Sequence, residues 1–164
     1  MTPKTRFASL YRPALAAFAL TLGLAAAVPA SATPVCQAIH GRVEIAAYEP
    51  TCGSAIALCA HAMLHGTVKA TSDFIGTSSV PTVDTATTGV VVLTGDNVFH
   101  TTDGDFFTKD AIVLNTAGDG EFTEIDTITG GTGEYAGASG YFIASGTFSQ
   151  GVGVGTYVGK ICWP

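Results

Sequence analysis

The chain has 164 residues, of which 47% are hydrophobic and 12% are charged, and its formal net charge is −6. An acidic chain repels phosphate backbones, and this one shows no basic patch, so we expect no nucleic-acid partner. The same sign of charge disfavours adsorption to anionic membrane surfaces.

Residues 1–32 are predicted to be a cleavable signal peptide. They carry three basic residues and no acidic one, continue in an apolar run from Ala14 to Val28, and end in Ala30-Ser31-Ala32. The apolar run is about fifteen residues long, shorter than the roughly twenty that span a bilayer as a helix. We therefore expect a secreted or periplasmic location and no membrane insertion after cleavage.

Residues 33–164 are long enough for a single domain with one core. With three of the seven basic residues in the leader and all thirteen acidic residues after it, the exported part carries a net charge of −9. Its four cysteines indicate two disulfides in an oxidising compartment, with three alternative pairings. We favour Cys36 with Cys162 and Cys52 with Cys59, because closing a barrel brings the first and last strands together.

Strand patterns dominate the first half of this domain. Arg42 to Tyr48 alternates between an apolar face and a polar face, as a half-buried strand does. From Ile56 the even positions stay apolar, which predicts a long strand continuing towards Phe74 with a bend at Gly66. A Ser/Thr/Pro loop follows at residues 78–88.

The second half reads as a series of hairpins. Residues 89–102 are predicted to form a strand or a bulged pair, which a type I′ turn at Asp103-Gly104 joins to a strand at residues 105–114. Further strands are predicted at 121–129, 141–148 and 155–163. Seven or eight short strands without helices indicate an all-β fold, as a closed antiparallel barrel or, alternatively, a two-sheet β-sandwich.

The glycine-rich segment 129–140 is neither a Walker loop nor a dinucleotide fingerprint, because no Gly-Lys-Ser/Thr and no following helix are present. We interpret its glycines as residues that provide positive φ and sharp bends between two strands. The structural turn consists of Gly130, Gly131, Gly133, Gly137 and Gly140.

Together with Tyr135, Ala138 and the preceding strand at 121–128, this segment resembles the later strands of the allene oxide cyclase-like and dirigent-like barrels. The resemblance covers roughly half of the exported domain and implies an eight-stranded antiparallel barrel with a central apolar cavity. Those families guide cyclisation of a fatty-acid epoxide or the coupling of phenolic radicals, which implies a small apolar or phenolic ligand. The matching motif is structural, so no catalytic residue is carried over.

Glu124 and Asp126 are the weak catalytic candidates. The two residues are separated by one position, so on a strand their side chains point to the same side. They would lie about 6 to 7 Å apart, close enough to act as a general acid and base. Phe122 and Ile128 share their face. If that face lines the cavity, two carboxyl groups stand in an apolar pocket; if Ile125 faces inward instead, both are simply solvated.

We predict no metal site and no cofactor. Cys59, His61 and His65 suit zinc or copper, but on a strand the two histidines would lie about 13 Å apart. Asp103, Asp105 and Asp110 around Gly104 resemble a calcium loop but lack the ligand spacing of an EF-hand, so a plain β-turn is the preferred interpretation.

Three functions are compatible with this sequence. The first is a barrel that binds a small apolar or phenolic ligand; the second is a cyclase- or isomerase-type enzyme that uses a pocket carboxylate. The third is a secreted structural or interaction protein with a solidly packed barrel, an interpretation that includes a homo-oligomer associated through a strand face. Whether the protein is an enzyme is left open by the sequence.

Overall fold

The computed structural model describes residues 33–82 and 89–164. The predicted signal peptide lies outside these described residues, as does most of the loop between the third and fourth strands. The described residues contain no helix long and apolar enough to cross a membrane.

The described chain is an all-β domain in which eight antiparallel strands follow one another around a closed barrel. This confirms the predicted barrel and excludes the two-sheet sandwich. The strands are β1 (Val35–Tyr48), β2 (Cys59–Gly66), β3 (Ala70–Pro81), β4 (Val90–Thr101), β5 (Gly104–Asn115), β6 (Glu121–Gly131), β7 (Ser139–Ser149) and β8 (Val152–Trp163).

The barrel closes where β1 pairs with β8 along eleven residues of each strand. Cys36 lies directly opposite Cys162 in this pairing, and the two form a disulfide. The second disulfide joins Cys52 to Cys59 at the start of β2. Both predicted pairings are therefore confirmed.

The long strand predicted from Ile56 towards Phe74 is wrong, because the chain reverses direction at Gly66 instead of bending there. Gly66, with a φ of 139°, is the last residue of β2, and Leu64 before it pairs with Ala70 on the returning strand β3. Even-numbered residues face the interior on both β2 and β3, so the alternation of inward and outward residues is the same before and after the turn and gives no sign of it.

The predicted hairpin between β4 and β5 is present, but its turn is not of type I′. Thr101 pairs with Gly104, which leaves Thr102 and Asp103 as the two central residues. A type I′ turn needs a positive φ at both, and neither has one; the positive φ of 136° falls on Gly104 instead.

The glycine-rich segment links β6 to β7 through a single turn of 3₁₀-helix at Gly133–Tyr135. Its backbone has positive φ at Gly130, Gly133, Gly137 and Gly140. The turn folds against the β4–β5 hairpin, because the amide of Glu134 bonds the carbonyl of Asp103 and the amide of Thr132 bonds that of Asp105.

This turn closes one end of the barrel. Phe99 and Phe106 stack there with ring centroids 4.5 Å apart, and Phe106 packs on Tyr135 at 5.2 Å. The indole of Trp163 donates a hydrogen bond to the carbonyl of Glu134 at 2.9 Å. We call this end, where β5 begins, the closed end, and the end where β5 finishes the open end.

Candidate functional site

The interior towards the open end is not filled by side chains. It holds a cavity of about 100 Å³ that is walled mainly by apolar residues. Near the open end these wall residues are half-buried, because solvent reaches them from outside the barrel. The half-buried apolar wall residues are Ile45, Leu58, Ala60, Ala62, Ile112, Leu114 and Phe148.

Strand β6 supplies two carboxyl groups to the wall of this cavity. Glu124 and Asp126 alternate with outward-facing residues, and Ile125 between them is 47% exposed on the outer face. Of the two interpretations left open by the sequence, the structure therefore shows the one in which the pair lines the cavity. A two-residue period along a strand with one buried face fixes this outcome.

A third carboxyl group comes from the neighbouring strand. Asp110 on β5 lies directly opposite Asp126 on β6, and both face the interior. One carboxyl oxygen from each of Asp110, Glu124 and Asp126 lies within 4.8 Å of the others. We refer to these three residues as the carboxyl cluster.

The carboxyl cluster is deeply enclosed. Asp126 is 1% exposed and Asp110 is 4% exposed, whereas Glu124 keeps some accessible surface because it faces the cavity. Asn97 and Thr108 are buried beside Asp110. Among the described residues, several buried oxygens of this group have no partner in hydrogen-bonding geometry: Asn97 Oδ1, Thr108 Oγ1, both carboxyl oxygens of Asp110, and Asp126 Oδ2.

Burial shifts the pKa of every member of the carboxyl cluster upwards. Desolvation and then the charge of Asp110 raise the pKa of Glu124 to about 8. Desolvation, followed by the charges of Glu124 and Asp110, raises the pKa of Asp126 well above its usual value. Desolvation also raises the pKa of Asp110 to about 6, although contacts with neighbouring polar groups act in the opposite direction.

Raised pKa values give this cluster a definite chemistry. Near neutral pH it holds protons, so it can donate a hydrogen bond to an oxygen atom in the cavity as well as accept one. Perturbed acids at the base of an apolar pocket are typical of functional sites. The described lysine and arginine side chains are all exposed, so no basic side chain of the described barrel neutralises the cluster from inside.

The structure does not bring the other metal candidates together. Cys59 is bonded to Cys52, while His61 and His65 stand on the outer surface with separate acidic partners. Asp105 also lies outside the barrel, where its carboxylate bonds His100 Nδ1 at 3.0 Å. Asp110 alone among the hairpin aspartates belongs to the carboxyl cluster.

Sequence reasoning missed Asp110 and Asn97 as site residues. The sequence does contain the pattern that identifies Asp110. Phe106, Ile112 and Leu114 are even-numbered residues of β5, as Asp110 is, and this alternation predicts that all four lie on one buried face. Asp110 is the seventh of the twelve residues of β5, well inside the strand. Grouping it with the turn aspartates hid that pattern.

Comparison of the chain with protein-family models, curated proteins and solved structures finds no match. The fold and the site together define a closed eight-stranded antiparallel barrel with a half-open apolar cavity and a buried carboxyl cluster. Its two disulfides are consistent with an oxidising, extracytoplasmic location.

Proposed function

We propose that this protein is an exported barrel that binds a small apolar or phenolic ligand in its central cavity. One observation supports this most directly: the apolar cavity opens at one end and reaches the carboxyl cluster inside. Pockets of this composition, apolar with a few convergent polar groups, are the usual design of small-molecule sites.

The size of the cavity limits the ligand. At about 100 Å³ it is smaller than the roughly 300 to 1,000 Å³ of typical drug-sized sites. An engineered apolar cavity of about 150 Å³ holds benzene, so the buried part of the ligand is comparable to a single small ring or a short chain. A larger ligand extends through the open end, past Leu58, Leu114 and Phe148.

The carboxyl cluster then recognises the polar end of the ligand. A hydroxyl or carbonyl oxygen at the inner end of the cavity can receive a hydrogen bond from a protonated carboxyl group of Glu124 or Asp126. The apolar wall contributes affinity in proportion to the ligand surface removed from water. A packed structural barrel has less support, since the open half keeps space that its side chains do not fill.

The binding proposal is tested by ligand-detected NMR with a panel of small phenols, monocyclic aromatics and short alcohols. Ala62 lines the cavity, so Ala62→Leu should fill part of it and weaken binding at least tenfold. Ala111→Leu adds the same atoms to the exposed outer face of β5 and should leave binding unchanged. Equal binding by both variants, or no binding of any compound to the parent, would overturn the proposal.

A second candidate function, an isomerase or cyclase, is favoured by the inward direction of Glu124 and Asp126. A general acid needs a pKa near the working pH, and the pKa of Glu124, raised to about 8, meets that condition. A ligand co-purified from the host is incubated with the parent protein and with Glu124→Gln. Enzymatic action gives a product of equal mass and altered chromatographic retention with the parent alone.

The export proposal has its own test. If residues 1–32 are removed by a signal peptidase, protein recovered from the host medium or envelope should begin at Thr33. Recovery of the uncleaved chain from the cytoplasm would contradict it.

A further inference from the structure

Within the described barrel, five buried side-chain oxygens in and beside the carboxyl cluster have no partner in hydrogen-bonding geometry. In the described part of the chain, the buried side-chain atoms without a hydrogen-bond partner are oxygens and include no nitrogen. They belong to Asp110 and Asp126 of the cluster and also to Asn97 and Thr108, which are uncharged. Buried polar atoms normally have partners, so this convergence indicates a missing donor or cation.

The two uncharged residues provide evidence that is independent of the acids. Asn97 is 7% exposed and Thr108 is 2% exposed, and both lie against Asp110. An acidic cluster could be an accident of the strand register, but an amide oxygen and a hydroxyl oxygen without partners at the same place need a separate explanation. A metal ion would accept lone pairs from both kinds of oxygen.

The position of these atoms distinguishes a bare ion from an organic ligand. Glu124, Asp126 and Asn97 line the cavity, whereas Asp110 and Thr108 are buried on the inner face of β5 without lining it. An organic head group in the cavity reaches the first three residues but not the last two. A bare ion held among the inward side chains of β4, β5 and β6 would contact all five.

The oxygen set matches one class of ion. Carboxylate, amide and hydroxyl oxygens are hard ligands, and Ca²⁺ takes six to eight of them at about 2.3 to 2.6 Å. Oxygens on either side of such an ion lie up to about 5 Å apart. The cluster oxygens, all within 4.8 Å of one another, satisfy this limit.

We propose that Asp110, Glu124 and Asp126, with Asn97 Oδ1 and Thr108 Oγ1, form a binding site for a hard divalent cation such as Ca²⁺ inside the barrel. This differs from the absence of a metal site that the sequence predicts, because the sequence does not reveal that residues from three strands meet. The site shares Glu124, Asp126 and Asn97 with the wall of the cavity that holds the proposed small ligand, so a bound cation would lie at the inner end of that cavity.

Isothermal titration calorimetry with CaCl₂ alone, on protein stripped with EDTA, tests the site. We expect saturable binding of one Ca²⁺ per chain and a higher thermal unfolding midpoint with Ca²⁺ than with EDTA. Asp126→Asn keeps the side-chain shape and should weaken Ca²⁺ binding at least tenfold. Asp119→Asn removes one charge from an exposed turn and should bind Ca²⁺ as the parent does.

Two results would contradict the proposed Ca²⁺ site. One is the absence of saturable binding at millimolar Ca²⁺ by protein that circular dichroism shows to be folded. The other is equal Ca²⁺ binding by Asp126→Asn and by the parent, which would place the ion on the acidic outer surface. Asn97→Leu gives a second check, because it removes an oxygen without changing the charge and should also weaken binding.

Discussion

Asp110 and Asp126 face each other across β5 and β6, in register, with both carboxyl groups inside the barrel. Like charges directly opposite on neighbouring strands are destabilising, and burial adds a desolvation cost for each. In the metal-free barrel, burial therefore raises the pKa of Asp110 to about 6 and the pKa of Asp126 well above its usual value. Much of the pH dependence of the free energy of unfolding should therefore come from this pair and from Glu124.

The stability of the metal-free protein should fall as the pH rises from about 5 to 9. The pKa of Glu124 is 4.5 in the unfolded chain and about 8 in the barrel, so between these values the folded state holds a proton that the unfolded state has released. Stability falls with pH wherever the folded state binds more protons. Urea unfolding in EDTA should give a free energy of unfolding lower by at least about 2 kcal/mol at pH 9 than at pH 5.

Glu124→Gln should flatten that pH profile. The amide cannot ionise, so the variant should be more stable than the parent at pH 9 and show a smaller difference between pH 5 and pH 9. Glu121→Gln, at an exposed position on the same strand, should keep the parent profile. A parent profile that rises with pH would contradict the raised pKa of Glu124.

Asp73 should control two surface histidines at once. Its carboxylate contacts His61 Nδ1 at 2.5 Å and His100 Nε2 at 3.2 Å. Hydrogen bonds to Asp73 and Asp105 are the main causes that raise the pKa of His61 and His100, respectively. NMR titration of Asp73→Asn should show a lower pKa for both, with the larger fall at His61, while the ring signals of His40 should not respond to the substitution.

Tyr157 should stabilise the turn between β2 and β3 from across the barrel. Its buried hydroxyl donates to the carbonyl of Val68 at 3.0 Å and accepts from the amide of Val68 at 3.3 Å. Tyr157→Phe leaves both backbone groups without a partner, which should cost about 1 to 3 kcal/mol in the free energy of unfolding. Tyr141→Phe, at a residue that is 45% exposed, should change it by less than about 0.5 kcal/mol.

The two disulfides should contribute unequally. Cys36 and Cys162 are 126 residues apart, whereas Cys52 and Cys59 are 7 apart. In the chain-entropy model, removing the first costs about 5 kcal/mol and removing the second about 2.5 kcal/mol. Guanidinium unfolding measures both losses of free energy, using the double variants Cys36→Ser/Cys162→Ser and Cys52→Ser/Cys59→Ser. A larger loss for the second variant would contradict the chain-entropy model.

The barrel class and both disulfides could be predicted because they depend on local patterns and on pairing the first strand with the last. The reversal at Gly66 could not, since residues of even number face inward on both sides of the turn. The direction of Glu124 was ambiguous for a similar reason, because β6 carries Phe122 and Ile128 on one face and Ile125 on the other.

The cavity and the carboxyl cluster were harder to predict from sequence. A cavity forms where small residues such as Ala60, Ala62 and Ala144 line the same part of the interior, and that depends on the register of strands distant in the sequence. The carboxyl cluster likewise depends on the pairing of Asp110 with Asp126, which places residues sixteen apart in the chain side by side. Spacing along the sequence carries little information about such neighbours.

The disulfide-bonded junction between β1 and β8 has a consequence for aggregation. An open sheet exposes unpaired amides and carbonyls along its outermost strands, and these can recruit strands from other molecules into fibrillar aggregates. In the described barrel each strand is flanked on both sides, and the Cys36–Cys162 bond keeps the ring from opening where it would otherwise part. The closed, disulfide-bonded ring thereby protects the barrel against self-templated aggregation.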